Sequence, residues 1–370
     1  MIPIQTSLTK LLGIESPIVS APMAGASGGA LAAQVTLAGG FGFVGAGYEP
    51  PDSLTRELGI ARQLLQHTDD DAPLPIGVGF LAWQLEKSPD RAEQLLSIVL
   101  EHRVQAVWLA FGQDLGRWAD YVRNHDKNAG SAKAVKIFVQ LSTVEQAHWA
   151  IKECKADVIV AQGNEAGGHG LGASLPLLTL CPLIADVVKS LNGPPLIAAG
   201  GLAIGAQIAS LLTLGAQGVV LGTRFLLSPE SLYTDSHRQA LIAADSSQSV
   251  RTMAFDYARN TLGWPEGIDG RGLRNGTKLF SPGVMAFTGS TFKSSIIATV
   301  VDYERGTDIA VIQKKLAEAI KTGDNTRMVV WAGSGVGLMT KTMPAQDIVN
   351  ELHEECVRHL RGAGDLVVNA

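Results

Sequence analysis

The sequence contains few cysteines, and their spacing suggests neither a cross-linked nor a metal-bound scaffold. Only three occur in 370 residues, Cys154, Cys181 and Cys356, and none belongs to a CxxC pair. An odd number of widely separated cysteines disfavours a disulfide framework and a zinc site. We interpret them as buried thiols of an intracellular protein, which we expect to be cytoplasmic and to bind no metal.

Charge and long apolar runs are also scarce. Charged residues make up 18% of the chain, the formal net charge is −5, and no basic stripe is visible. This pattern gives no support to nucleic-acid binding or to attraction by an anionic membrane. No apolar stretch approaches the ~20 residues that a membrane helix needs, and residues 1–20 lack the basic start and apolar run of a signal peptide. We therefore expect neither nucleic acid nor membrane as a partner.

Glycine, in contrast, is abundant. The 41 glycines cluster at the ends of short apolar runs, where tight turns and close approach to a ligand require them. The runs are continuous rather than alternating, as is typical of parallel strands buried on both faces. Eight of them occur before residue 226: PIVSAPM from Pro17, FGFVGAG from Phe41, PIGVGF from Pro75, VQAVWLAFG from Val104, KIFVQL from Lys136, DVIVAQG from Asp157, PPLIAAGG from Pro194 and GVVLGT from Gly218.

Segments with helical periodicity separate these runs. One begins at Ser142, a predicted N-cap with Glu145 three residues later, and another ends at Gly215, a predicted C′ glycine. Eight strands that alternate with helices form either a doubly wound sheet or a closed barrel. The even spacing and the absence of a GxGxxG turn after the first strand favour the barrel. We predict an α/β fold, a (β/α)8 TIM barrel.

The alternation stops after Leu227. The following residues contain helical stretches around the glycine-rich segment GWPEGIDGRGLRNG, and a terminal amphipathic helix, PAQDIVNELHEECVRHL, comes later. We predict that residues 1–227 and 326–370 form the barrel and that 228–325 form a small, mainly helical insert after the eighth strand. The insert is a candidate for a lid or for the interface of a homodimer, and the sequence leaves both open.

The ends of the seventh and eighth strands predict a phosphate site. Gly200 and Gly201 end one strand, and Gly222 and Thr223 end the next. Loops after these two strands often bind phosphate in TIM barrels. Glycines expose backbone N–H groups, Thr223 can donate a hydroxyl hydrogen bond, and a helix beginning near Ile204 or Gly222 would add its partial positive charge.

His169 is the candidate catalytic residue. It lies in the glycine-rich segment AQGNEAGGHG, just after the sixth strand, and barrel enzymes place their chemistry at this end of the strands. An imidazole there can accept or donate a proton near neutral pH. Glu165 precedes it by four residues, but the glycines between them disfavour the helix that a metal-binding HExxH arrangement needs.

Four segments resemble the nitronate monooxygenases, formerly called 2-nitropropane dioxygenases. They extend over nearly the whole chain: PIVSAPMAG, QGNEAGGHG, IAAGGLAIGAQIASLLTLGAQGVVLGTRF, and WAGSGVGLM followed by PAQDIV. The resemblance implies an FMN cofactor with its phosphate on Gly200, Gly201, Gly222 and Thr223. It also implies further FMN contacts, near the isoalloxazine and along the ribityl chain, from Ala21, Pro22, Met23, Ala24, Gln140, Gln162, Gly167 and Gly168.

The same resemblance implies a reaction. An alkyl nitronate, or the parent nitroalkane, would be oxidised with O2 to a carbonyl compound and nitrite without a nicotinamide. His169 falls on the family's catalytic histidine, which holds the nitro end of the substrate and removes an α-proton from a neutral nitroalkane.

Other functions remain to be weighed against this one. Flavin reductases of enoyl thioesters, which use NAD(P)H, look alike in these segments, and a related flavin oxidoreductase of secondary metabolism is a further alternative. The loop after the sixth strand lacks the cysteine of an inosinate dehydrogenase, and the sixth strand itself, DVIVAQG, lacks the lysine of a Schiff-base aldolase. A non-enzymatic flavin- or phosphate-binding module would not need His169.

Overall fold

The structure is a computed structural model, and it describes residues 2–69, 72–129, 134–274, 298–322 and 327–366. Strands and helices alternate along most of this length. The strands are β1 (Ile18–Ser20), β2 (Phe43–Ala46), β3 (Leu74–Leu81), β4 (Val104–Ala110), β5 (Lys136–Leu141), β6 (Val158–Gln162), β7 (Gly168–Leu171), β8 (Leu196–Ala199), β9 (Gly218–Leu221), β10 (Ser249–Thr252) and β11 (Ile268–Leu273).

The helices of the first part of the chain are α1 (Ser7–Leu12), α2 (Gly29–Leu37), α3 (Pro51–Leu64), α4 (Ala82–Lys87), α5 (Pro89–Glu101), α6 (Leu115–Ala129), α7 (Val144–Lys152), α8 (Leu177–Ser190), α9 (Gly205–Thr213) and α10 (Thr223–Leu226). Those that follow are α11 (Asp235–Ala243), α12 (Ala254–Arg259), α13 (Ala298–Glu304), α14 (Ile309–Thr322) and α15 (Ala345–Gly362). None of the helices in the described residues has the length and apolar character that crossing a membrane requires.

Eight parallel strands form the barrel, in the order β1-β9-β8-β6-β5-β4-β3-β2. The two outer members of this order meet through a parallel bridge between Val19 and Phe41. There the N–H of Phe41 donates to the carbonyl of Ile18, and the N–H of Ser20 donates to the carbonyl of Phe41, both at 3.0 Å. The sheet therefore closes on itself, and the predicted (β/α)8 fold is confirmed, with each of the eight predicted runs supplying one strand.

Aromatic side chains fill the interior of the barrel. The rings of Phe43, Trp108 and Phe138 pack with centroids 5.1–5.9 Å apart, at angles that include both edge-to-face and stacked pairs. Gly77 makes room for them, since a Cβ atom there would lie 2.2 Å from the Phe43 ring. Leu8 of α1 belongs to the same cluster and packs beside the start of β9, so α1 covers the amino-terminal end of the strands.

The predicted helix ends are right at Gly215 and wrong at Ser142. Gly215 follows the C-cap of α9 with φ +103°, a conformation that favours glycine. At α7, however, the N-cap is Thr143, whose hydroxyl accepts the N–H of Gln146. Gln146 reaches back to the N–H of Ser142. Thr143 and Gln146 thus take the Ncap and N3 positions that Ser142 and Glu145 were predicted to take.

The chain after β9 carries helices α11 to α14 and also the two strands β10 and β11. These strands join β7 in an antiparallel sheet with the order β10-β11-β7, in which His169 lies opposite Gly270. Because β7 follows directly after the barrel strand β6, this small sheet connects the barrel to the part of the chain that contains β10 and β11. The predicted boundary between residues 325 and 326 lies outside the described residues.

The terminal helix α15 packs against the outside of the barrel. Its Glu355 carboxylate accepts the N–H of Gly205 at 2.7 Å, and the Gln346 amide donates to Gln34 on α2, also at 2.7 Å. At Gly205 the two helices approach so closely that a Cβ atom would lie 2.5 Å from the backbone N of Cys356 and 2.6 Å from the carbonyl of Leu352.

This contact predicts that Gly205→Ala destabilises the fold. The added methyl group has to push α9 away from α15, so we expect the free energy of unfolding to fall by about 1–3 kcal/mol in urea denaturation. Gly59→Ala is the matched control, because Gly59 is an exposed glycine of α3 with nothing within 4 Å of its added Cβ. We expect this control to raise the stability by about 0.5–1 kcal/mol. A Gly205→Ala protein as stable as the wild type would contradict the close contact.

Candidate active site

A cavity of about 290 Å³ opens at the carboxyl ends of the barrel strands. This is the end at which barrel enzymes place their reacting groups. The structure brings every site residue predicted from the sequence to the wall of this one cavity: Ala21, Pro22, Met23, Ala24, Gln140, Gln162, Gly167, Gly168, His169, Gly200, Gly201, Gly222 and Thr223. They lie at or after the ends of five barrel strands, β1, β5, β6, β8 and β9, so the barrel itself assembles the site.

The ends of β8 and β9 form a corner rich in free N–H groups. Gly200 and Gly201 have φ values of +134° and +68°, a backbone conformation that L side chains rarely adopt. Among the described residues, none accepts a hydrogen bond from the N–H of Gly201 or Gly222. The Thr223 hydroxyl accepts the N–H of Gly333 at 2.9 Å, which leaves its own hydrogen free to donate. Such a concave set of donors is suited to an anion.

A late segment of the chain completes this corner. Gly333 and Gly335 line the cavity, and a Cβ atom on Gly335 would lie 2.2 Å from the carbonyl oxygen of Gly201. The backbones therefore touch without side chains between them. The segment WAGSGVGLM carries part of the resemblance found in the sequence, but its glycines were not predicted to belong to the phosphate corner.

The first N–H groups of α9 have partners within the protein. The N–H of Ile204 donates to the side chain of Gln207, and the N–H of Gly205 donates to Glu355. The donors that face the cavity therefore come from the glycine turns, and the partial positive charge expected from a helix beginning near Ile204 or Gly222 stays a prediction.

His169 is held by a buried carboxylate from the chain after β9. Its Nε2 lies 2.9 and 3.0 Å from the two carboxylate oxygens of Asp256 on α12. Asp256 is completely buried and also accepts the hydroxyl of Thr261 at 2.8 Å. A carboxylate only accepts hydrogen bonds, so it places the imidazole hydrogen on Nε2. Nδ1, which has no partner among the described residues, is then the basic nitrogen.

Two indole rings restrict the orientation of this imidazole. Trp264 stacks on it with ring centroids 3.6 Å apart and planes 13° apart, and Trp331 lies at 4.9 Å. The His169 side chain is only 12% exposed. The imidazole therefore has a fixed tautomer and a fixed plane, which a general base requires.

Two glutamines of the cavity wall differ in their hydrogen bonding. The side-chain oxygen of Gln140 accepts the indole N–H of Trp108 at 3.2 Å. Gln162 donates its amide N–H to the carbonyl of His169, but its side-chain oxygen is buried and without a partner. A buried acceptor of this kind is uncommon in native structures and marks a place where a bound group can donate.

The cavity wall also includes one arginine, Arg259, and two tyrosines, Tyr48 and Tyr233. Among the described residues that line it, Arg259 is the only lysine or arginine, and its guanidinium lies over the Trp331 ring. Burial raises the pKa of Tyr48 to about 12, although the charge of Arg259 acts in the opposite direction. Burial likewise raises the pKa of Tyr233 to about 12. Both phenols are therefore neutral hydrogen-bond donors near neutral pH.

Comparisons with known proteins identify the family of this chain. A family model described as nitronate monooxygenase matches residues 5–355. The nitronate monooxygenase of Neurospora crassa is 34% identical over 385 residues, which cover 96% of this chain and 94% of the relative.

Two solved structures are similar over the whole fold. A nitroalkane oxidase from Streptomyces ansochromogenes is 27% identical with a TM-score of 0.71, covering 97% of this chain and 99% of that one. FabK from Thermotoga maritima is 25% identical with a TM-score of 0.73, covering 98% of this chain and 100% of that one. The resemblance read from the sequence is confirmed: the chain belongs to the nitronate monooxygenase family of flavin-dependent oxidoreductases.

Proposed function

We propose that this protein is an FMN-dependent enzyme that oxidises alkyl nitronates, and the parent nitroalkanes, with O2 to a carbonyl compound and nitrite. The observation that carries the proposal is that His169, which pairs with the buried Asp256, lines the same cavity as the glycine corner at Gly201 and Gly222. One cavity thus combines a place for a cofactor phosphate with an oriented base. The family to which the chain belongs supports the reaction class.

The cavity wall fits FMN in three ways. The free N–H groups of Gly201 and Gly222, with the Thr223 hydroxyl, suit a phosphate. A Cβ atom on Gly168 would meet nothing within 4 Å, so the backbone there faces open space that a ring can approach. The unpartnered oxygen of Gln162 can accept a hydrogen bond from the ribityl chain or the ring. Ala21, Pro22, Met23 and Ala24, together with Gln140 and Gly167, supply the rest of the surface.

His169 would act through Nδ1. With a neutral nitroalkane, Nδ1 accepts the α-proton, and the negative charge of Asp256 stabilises the imidazolium that results. With a nitronate, which has already lost this proton, His169 only binds and orients the substrate. When bound, FMN supplies the transfer of electrons from the nitronate to O2, and no nicotinamide is required.

We also propose that the chain forms two domains, a barrel made of residues 1–227 and 326–370 and a second domain made of residues 228–325. The second domain would contribute part of the cavity wall. Asp256, Arg259 and Trp264 belong to this segment, and they contact His169 or line the cavity wall. The position of these residues supports a role in substrate binding.

The phosphate assignment predicts that Gly201→Ala weakens FMN binding. The added Cβ would lie 2.8 Å from the Glu165 side chain and 2.9 Å from Ser334 Oγ, so the turn has to move its N–H groups. We expect the Kd for FMN to rise by about 10-fold or more, a change of at least ~1.4 kcal/mol, measured by flavin fluorescence on reconstitution. Gly13→Ala is the control, with a similar φ of +71° and nothing within 4 Å of the added Cβ. A Gly201→Ala protein purified with full flavin would contradict the assignment.

The base assignment predicts a substrate-dependent loss in His169→Asn. Turnover of neutral nitroethane should fall by about 10²–10⁴-fold, the usual effect of losing a general base. Turnover of ethyl nitronate should fall much less, because this substrate carries no α-proton for a base to remove, and FMN should stay bound.

The control for this prediction is His148→Asn, an exposed histidine on α7, which should behave like the wild type. Equal losses on the two substrates, measured as kcat/KM from nitrite release, would remove His169 from proton abstraction.

A further inference from the structure

Buried side-chain polar atoms without a hydrogen-bond partner are few in the described part of the chain, and they concentrate at the cavity. They are Tyr48 Oη, Trp83 Nε1, Trp118 Nε1, Gln162 Oε1 and Trp264 Nε1. Three of the residues that carry them line the cavity, namely Tyr48, Gln162 and Trp264. Native proteins rarely leave such atoms unpaired, so the three atoms of cavity-lining residues point to a bound partner.

Two of these three atoms are donors, Tyr48 Oη and Trp264 Nε1, and both residues line the same cavity as His169. Trp264, in the loop between α12 and β11, stacks directly on the imidazole at 3.6 Å between ring centroids. Tyr48, in the loop after β2, belongs to the same aromatic cluster, since the ring of Trp83 contacts both Tyr48, at 6.4 Å, and Trp264, at 5.2 Å.

The chemistry of the two donors restricts what they can bind. An indole N–H only donates, and a phenol that titrates at about 12 remains protonated throughout the neutral range. Their common partner must therefore be an acceptor. A nitronate presents two oxygens that share its negative charge, and each of them can accept one of these hydrogen bonds.

We propose that the Tyr48 hydroxyl and the Trp264 indole N–H bind the two oxygens of the substrate's nitronate group, beside His169. This inference rests on the proposed function and adds to it two residues that recognise the substrate. It makes Tyr48 and Trp264 determinants of the preference for the anionic nitronate over the neutral nitroalkane, because a hydrogen bond to a charged acceptor is stronger than one to a neutral acceptor.

Tyr48→Phe and Trp264→Phe test this directly, since each removes the donor and keeps an aromatic ring. Nitrite release from propane-2-nitronate gives KM and kcat. Nitrate, an unreactive planar oxyanion, gives a binding constant from the change in flavin absorbance without turnover. We expect each substitution to raise KM for the nitronate and Kd for nitrate by about 10-fold or more, as for the loss of a hydrogen bond to a charged group. We expect the FMN content to be unchanged.

Trp118→Phe is the matched control. It also removes a buried, unpartnered indole N–H, but Trp118 lies on α6 and does not line the cavity. It should leave KM and the Kd for nitrate at their wild-type values.

The outcomes separate this inference from the proposed function. Unchanged KM and nitrate Kd in Tyr48→Phe and Trp264→Phe, with a wild-type protein that releases nitrite, would overturn the inference alone. Loss of FMN from either variant would also overturn it, because the donors would then serve the cofactor. A wild-type protein that binds nitrate but releases no nitrite from the nitronate would contradict the proposed function itself.

Discussion

The hydrogen-bonded pair of His169 and Asp256 is the contact on which the site depends. Asp256 is fully buried, and a buried carboxylate is stable only if other groups donate hydrogen bonds to it. His169 Nε2 and the Thr261 hydroxyl provide these donors. In return, the carboxylate fixes the imidazole tautomer and ties the chain after β9 to the carboxyl ends of the barrel strands. The pairing of β7 with β11 brings the two partners together.

The barrel, and the part of the cavity wall formed by the ends of its strands, could be predicted because both follow from short patterns within the sequence. Continuous apolar runs indicate parallel buried strands, and glycines at their ends indicate turns that approach a ligand. Parallel strands direct all their carboxyl ends to one side of a barrel, so the residues after them necessarily meet. Gly201, Gly222 and His169 come to one cavity for this reason.

The contacts that the chain after β9 makes with the barrel could not be predicted in the same way. Asp256 is 87 residues from His169 in the chain, and no local pattern marks the contact. Strands β7 (GHGL) and β11 (IDGRGL) are rich in glycine and lack the usual strand pattern. In β11 this glycine has a packing reason, since a Cβ on Gly270 would lie 2.5 Å from the Trp331 ring. The partner of the Gly205 N–H at the start of α9 could not be predicted either, because this partner, Glu355, lies 150 residues away on α15.

The most direct measurement of the central claim is nitrite release by the purified flavoprotein from a small alkyl nitronate in air, with and without NADH. We predict nitrite at the same rate in both cases, because the proposed oxidation of the nitronate by O2 requires no nicotinamide. The absence of nitrite, together with rapid bleaching of the flavin by NADH, would contradict it and favour the alternative of an enoyl-thioester reductase.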